Sequence, residues 1–387
     1  MLVFDIHSPV VRADQNVLML HPGKNYHLFD RFIETNSVSA DIPNISFPNR
    51  KAPNSIPTID SQISRARALR DWLSLNSSER KRTDYSVALS DYENVEPRRF
   101  HESYKATLQR LLWELPENTP VFVPNPGLNN DGIFCELCSS TQDRVEFSGL
   151  SPADNFTYLG RPVRNVRKVP MRLIPPEVLD QKSRTSVITD LTFSQSEKML
   201  RLYYGTFSIL GKVNQTEIDI PSEIFRPADA NIVNAIANFL EENLQRLERG
   251  ETTPADFIES IFFAFDEAEL QIHARLNSPG ILQIAAKTVA PALIAFFMAM
   301  PNTMSAQEMA SEIASKNIEI VNSSCPNDDD YPKLIGDRLF GIVDMVGEDN
   351  ISDICMRVKE FKKRTGATVN SKIEYKNTSS SVDLDGK

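Results

Sequence analysis

A chain of 387 residues, 41% hydrophobic and 24% charged, has the make-up of a globular protein of two or three domains, which excludes a fibrous, low-complexity or wholly disordered chain. Four cysteines are too few for a disulfide framework at this length, and the opening M-L-V-F-D-I-H-S-P has neither the basic nor the apolar part of a signal peptide, so a cytoplasmic setting is expected. The net charge of −10 is uneven: residues 1–180 hold 21 basic against 22 acidic side chains and the remainder 21 against 30, which argues against charge-driven coating of nucleic acid and puts any polyanion contact in the first half.

Residues 2–45 read as strand, turn, helix, strand. Val17–Leu20 is apolar and His21-Pro22-Gly23-Lys24-Asn25 is turn chemistry. Leu28, Phe29, Phe32 and Ile33 then recur at helical spacing within 26–33. Residues 41–59 are rich in Pro, Asn and Ser, lack periodicity and read as a surface loop. Residues 63–75 predict a basic amphipathic helix in which Arg65, Arg67 and Arg70 accompany Trp72. Residues 85–89 predict a strand and 100–115 a second helix, with Leu108, Leu111, Leu112 and Trp113. Val121 and Val123 alternate into a P-N-P-G turn, and Ile133–Leu137 is another β-like run. A third run, 163–173, continues from Arg161 and carries Arg164, Arg167, Lys168 and Arg172. Short strands joined by Gly/Pro/Asn turns predict a small curled β-rich module with one basic, anion-facing strand.

Pro175-Pro176 breaks the chain. Residues 187–191 and 202–210 predict short strands, and 228–247 a long helix stopped by Gly250. Alternation in 270–276 and 281–287 about N-S-P-G predicts a hairpin. Helices follow at 289–300, 306–314, 334–345 and 351–363, and the Ser/Asp-rich end reads as disordered. The expected division is a ligand-binding module over 1–180, an acidic α+β domain over 181–370 and a tail over 371–387.

No catalytic motif is complete. Cys135-x-x-Cys138 lacks the second ligand pair of a zinc site and fits a strand in which Cys packs as a small hydrophobe. The loop at 21–25 lacks the paired glycines of a phosphate loop, although Lys24 there could hold an anion. Asp266, Glu267 and Glu269 adjoin a strand but lack the lysine of a restriction-type nuclease. No Ser or Cys has the setting of a nucleophile. Trp113 and Phe122 read as core, whereas Tyr26 and Trp72 lie near cations and could stack a base. The apolar stretch 281–300 contains Gln283, Lys287 and Pro291, and its clean run, 289–300, is shorter than the about 20 residues that span a bilayer. A buried core helix is therefore expected, with a membrane anchor as the alternative.

Three segments carry a resemblance: N-V-L-M-L-H-P-G-K-N-Y-H-L-F-D-R-F-I-E-T-N-S-V at 16–38, T-P-V-F-V-P-N-P-G at 119–127 and Y-L-G-R-P-V-R-N-V-R-K-V-P at 158–170. In this order they resemble the PUA-like, EVE-type modules at the front of prokaryotic restriction and anti-phage proteins. The resemblance implies a β-pseudobarrel that reads bases or RNA, within an α+β chain whose second domain has a helical C-terminus. The expectation is a non-enzymatic sensor of nucleic acid or nucleotide in bacterial antiviral defence, without cofactor or metal. Lys24, Arg161, Arg164 and Arg167 would hold phosphate, with Tyr26 and Trp72 stacking. The acidic half would meet a partner protein, and homo-oligomerisation stays open. The alternatives are a membrane-attached effector anchored by 281–300 and a divergent metal-dependent nuclease using Asp266 and Glu269.

Overall fold

Alternating and helical hydrophobic patterns both recur along the chain, and the computed structural model is accordingly mixed α+β. It describes residues 1–376 apart from 48–51, 74, 76, 81–85, 94–95, 97, 139–144, 149–155, 181–186, 222–224, 258–269, 276–279 and 326–328. Two compact units result. One is Gln15–Tyr203; the other joins Met1–Asp14 to Tyr204–Lys387.

The chain opens with β1 (Leu2–Asp5) and β2 (Val10–Val11), which belong to the second of these units. It then builds the Gln15–Tyr203 unit from β3 (Leu18–Leu20), α1 (Phe29–Thr35), β4 (Ser37–Val38), α2 (Ile59–Leu73), α3 (Ser77–Arg80) and α4 (Arg99–Gln109). After these come β5 (Pro120–Val123), β6 (Asp131–Leu137), β7 (Val145–Ser148), β8 (Thr157–Pro170), α5 (Pro176–Leu179), β9 (Ile188–Asp190) and α6 (Phe193–Tyr203). The strands form one curled sheet in the order β4-β8-β6-β5-β3-β9, with β7 also on β8. The 14-residue β8 changes partner along its length: β7 over 157–160, β4 at 161–162 and β6 over 163–170. A bulge sets Asn165 and Val166 opposite Cys135 alone, and Asn165 takes φ 54°. Such an insertion bends and twists its strand, which helps the sheet to curl. Ile59, Ile63, Ala66 and Leu69 form the buried stripe of α2, at the spacing that one face of a helix requires. Ile59, Ile63 and Ala66 pack with Phe32, Leu108, Leu111, Val121, Ile133 and Tyr158 in one core.

The second unit holds β10 (Phe207–Ile209), β11 (Val213–Ile220), α7 (Pro227–Glu248), β12 (Leu270–Arg275), β13 (Gly280–Ala286), α8 (Ala290–Ala299) and α9 (Ala306–Ala314). It closes with β14 (Ile318–Val321), α10 (Asp330–Val346), α11 (Glu348–Thr365), β15 (Thr368–Val369) and β16 (Lys372–Tyr375). One sheet runs β12-β13-β11-β10-β2, with β15 on β11; the other is β14-β1-β16. α8 is apolar on every face and is buried on every face, against α7, α11, β11 and β13. The Lys362 ammonium donates to Met300 O at 2.7 Å, so a cation caps the carbonyl end of this helix.

Several expectations change. Segment 281–300 is a strand followed by a ten-residue core helix, so no helical anchor forms there. Among the described residues no helix is long and apolar enough to cross a membrane. The division falls at 14/15 and 203/204 and not at 180, because β9 pairs with β3 and α6 packs on β8. Residues 372–375 are not tail but a strand antiparallel to β1; 377–387 lie outside the described residues. Residues 89–92 form a 3-10 turn where a strand ending at 89 was expected. The irregular stretch 41–59 is not confined to the surface, since Asp41, Ile42, Ile45 and Ile56 are buried. Residues 202–210 divide between the end of α6 and β10. The predicted hairpin is β12–β13, although its N-S-P turn residues, like Asp266, Glu267 and Glu269, lie outside the described residues.

Candidate ligand-binding site

The loop between β3 and α1 is stitched around one buried carboxylate. Asp41 is 4% exposed, and its Oδ2 accepts the Lys24 N–H at 3.1 Å. His27 Nε2 lies 3.3 Å from Asp41 Oδ1, and His27 Nδ1 lies 2.8 Å from the Lys24 carbonyl oxygen. Gly23, at φ 80°, permits this closure: a Cβ there would stand 2.5 Å from His27 Cε1 and 3.0 Å from Asp41 Cγ. Tyr26 also takes a positive φ, 60°, a strained value for a bulky side chain. The loop is thus held in one conformation by its contacts.

Two groups from other parts of the unit act on the Asp41–His27 pair. From the start of β8, the Tyr158 hydroxyl is 3.4 Å from His27 Nε2. From α2, the Arg70 guanidinium lies over the Tyr104 ring at 5.3 Å and is near enough to bias the proton equilibria of His27 and Tyr158. Trp72 meets Phe156 edge-on at 6.5 Å, and Tyr26 stands 6.4 Å from His21. Burial raises the Tyr158 hydroxyl, Asp41 raises it further and Arg70 opposes both, so it stays protonated. Burial pulls His27 down, but the Asp41 carboxylate beside the ring and the Lys24 carbonyl outweigh burial and Arg70, and the net shift is upward.

The cluster has unmet polar capacity. Asp41 Oδ1, although 3.3 Å from His27 Nε2, receives no hydrogen bond, and His21 Nε2 has no partner either. Among the described residues, neither the exposed Lys24 ammonium nor Arg70 is paired with a carboxylate. A buried acceptor without a donor is costly, and unpaired cations beside it favour an anion. The arrangement suits a ligand carrying both a hydrogen-bond donor and a negative charge.

The residues singled out in the sequence separate. Lys24, Tyr26 and Trp72 lie at the Tyr158 end of β8. Arg164 and Arg167 lie at the other end, roughly 20–30 Å along the strand at about 3.3 Å per residue. Arg161, between them, is 1% exposed, and all five of its N–H donors are engaged. They go to the carbonyls of Cys138 (2.9 and 2.7 Å), Leu111 (3.1 Å), Leu115 (2.8 Å) and Pro116 (3.4 Å). Arg161 is therefore a structural cap, not a phosphate ligand. Arg164 is exposed and contacts Glu117 and Glu136, each at 3.5 Å, and Asn118. Arg167 donates to the Tyr203 carbonyl at 2.6 Å. Of the three α2 arginines beside Trp72, Arg65 donates to Asn44 O at 2.8 Å and Arg67 lies 4.4 Å over Phe100. Phe122 is core, and Trp113 packs on Phe47. Cys135 is buried in β6, its Sγ 3.7 Å from Val121 O, and burial pushes its thiol pKa up. His27 and Asp41 were not identified from the sequence, and Arg70 and Tyr158 were read only as a cation of the basic helix and as one of several aromatics, because the contacts of His27 span 14 to 131 residues and leave no local spacing.

The chain matches no protein-family model, no curated protein and no solved structure.

Proposed function

We propose that the Gln15–Tyr203 unit is a PUA-like module that binds a nucleotide or a single-stranded nucleic acid at the Asp41–His27 cluster. The observation that carries this reading is the coincidence of a buried acceptor without a donor, Asp41 Oδ1, with Lys24 and Arg70, two cations without a carboxylate partner among the described residues, on the segments that also carry Tyr26 and Trp72. A base edge supplies N–H donors, its phosphate meets the cations, and its π-face suits the aromatics. Farther along β8 the exposed Arg167, which also donates to the Tyr203 carbonyl, would extend the cationic track for a longer strand. On the resemblance of residues 16–173, such a module would be the non-enzymatic sensing part of a bacterial anti-phage protein, with the acidic unit meeting a protein partner.

The test is titration of the full chain with labelled single-stranded DNA, duplex DNA and RNA at two salt concentrations. Binding is expected for a single strand, weakening steeply with salt because counterions are released. Lys24→Ala and Arg70→Ala should each weaken binding about 5- to 30-fold, a loss of about 1–2 kcal/mol for a charged contact, and flatten the salt slope. Glu374→Gln, on β16 of the other unit, should change neither. No binding of any of the three probes, or equal binding by the Lys24 and Arg70 variants, defeats the proposal.

A further inference from the structure

We propose that His27 is a proton-operated latch: protonated, it closes the 21–27 loop on Asp41 and presents Lys24 and Tyr26; deprotonated, it lets the loop open and release ligand. The inference rests on the binding reading for its ligand half and on geometry alone for its loop half.

The Lys24 carbonyl can only accept, so the ring nitrogen 2.8 Å from it, Nδ1, must carry a proton. A neutral ring in that tautomer would leave Asp41 Oδ1, 3.3 Å from Nε2 and without a hydrogen-bond donor, with no positive charge beside it. As imidazolium the ring keeps the Nδ1–H bond to Lys24 and sets its charge 3.3 Å from the buried carboxylate. The neutral form has one partial refuge, since the Tyr158 hydroxyl at 3.4 Å can donate to Nε2. That contact leaves Asp41 without its counter-charge. Three groups from other elements face His27: Asp41 after β4, which favours the proton; Arg70 from α2, which opposes it; and Tyr158 from β8, which remains neutral. Lys24 belongs to the loop itself, exposed and directed to solvent.

The same proton decides the loop. Asp41 binds the loop twice, at the Lys24 N–H through Oδ2 and at His27 through Oδ1. The strained φ of Tyr26 persists only while those contacts hold. The folded value of His27 is raised, so the stabilisation it gives is fully present below its ordinary 6.5 and fades as pH rises through the higher folded value. Closed loop and ligand capture thus belong to the acidic side, and release to the alkaline side.

The experiment follows the His27 ring and the Lys24 amide by NMR in the ligand-free full chain from about pH 5.5 to 9, a window that brackets an ordinary histidine. The Lys24 N–H exchange rate is read relative to the β5–β6 amides, which cancels the intrinsic rise with pH. His27 should titrate above 6.5, with Lys24 protection falling about tenfold or more along the same curve. His27→Gln, whose amide donates to Asp41 at every pH, should flatten that curve. Asp41→Asn should return His27 to its ordinary value or below and make Lys24 protection level across the His27 titration. In parallel, labelled single-stranded RNA is titrated at the two ends of the window, where affinity should drop several-fold for the wild type and stay level for His27→Gln. His27 titrating at or below 6.5, or Lys24 protection unaltered across its titration, overturns the latch. RNA affinity level with pH in the wild type overturns its coupling to ligand. RNA that binds at no pH counts against the binding function alone, and the exchange curve then decides the latch.

Discussion

Arg161 shows how a residue type misleads when its neighbours are unknown. In sequence it is one of several cations on a short segment, which suggests an anion-binding strand. In the fold it faces inward where α4 and the turn of π-helix after it (Arg110–Glu114) end, and it satisfies the carbonyls that a helix C-terminus leaves open. Burial pushes its pKa down to about 10, with Cys138 and Glu117 pulling the other way, so it remains a cation at neutral pH. Removing it strands four carbonyls at once. Arg161→Met should therefore cost about 2–4 kcal/mol in chemical denaturation, well beyond a typical surface change. Arg161→Lys should recover little of this, because one ammonium cannot reach carbonyls on both sides of a planar fork. A loss under about 0.5 kcal/mol in either variant would mean that water replaces the guanidinium. Lys24 and the Pro-Gly turn were readable because turn chemistry is local. Asp41, a single carboxylate in an irregular stretch, gave no such sign.

Elements with one dominant period were legible. α7, α10 and α11 each bury a regular stripe, and the alternation of 270–287 specified β12 and β13. The apolar run of α8 was legible as a core helix because a strand precedes it and Pro291 sits in its first turn. β8 was harder, because its period breaks at the bulge. Arg164 and Arg167, three apart, would face opposite ways in a regular strand. The extra residue instead sets them against Glu136 and Phe134, which share a face. Asn165 makes the bulge by adopting φ 54°, its amide donating to Glu136 Oε2 at 3.0 Å and its carbonyl accepting the Tyr203 hydroxyl. Asn165→Val, which resists that backbone angle and deletes the amide, should lower stability by about 1–3 kcal/mol. Asn165→Gly keeps the angle and should cost less than the Val variant. Equal losses in the two would show that the side-chain bond, and not the backbone angle, holds the bulge.

At the scale of the molecule, the connectivity could not be read from the sequence. β1 lies between β14, some 316 residues later, and β16, at the other end of the chain. Pairing over such a separation leaves no trace in local pattern, whereas Pro175-Pro176 looked like a boundary and is only the start of α5. The folded unit instead runs on through β9, which pairs with β3 at Leu18, Met19 and Leu20, and α6, whose Tyr203 stacks on Phe134 at 4.0 Å. Fragments distinguish these boundaries. Residues 15–203 should give dispersed amide spectra and one cooperative melt. Residues 1–180, which keep 14 residues belonging elsewhere and lose β9 and α6, should melt lower and less cooperatively. Deleting residues 1–8 from the full chain removes the central strand of a three-stranded sheet and the buried side chains of Leu2, Phe4 and Ile6. At about 1.5–3 kcal/mol for each buried side chain of that size, the second unit should lose its transition while the Gln15–Tyr203 unit keeps its own. If 1–180 matched 15–203 in melting temperature, β9 and α6 would not belong to the folding unit. If the truncated chain melted like the intact one, the N-terminal strand would not be needed to hold the second unit together.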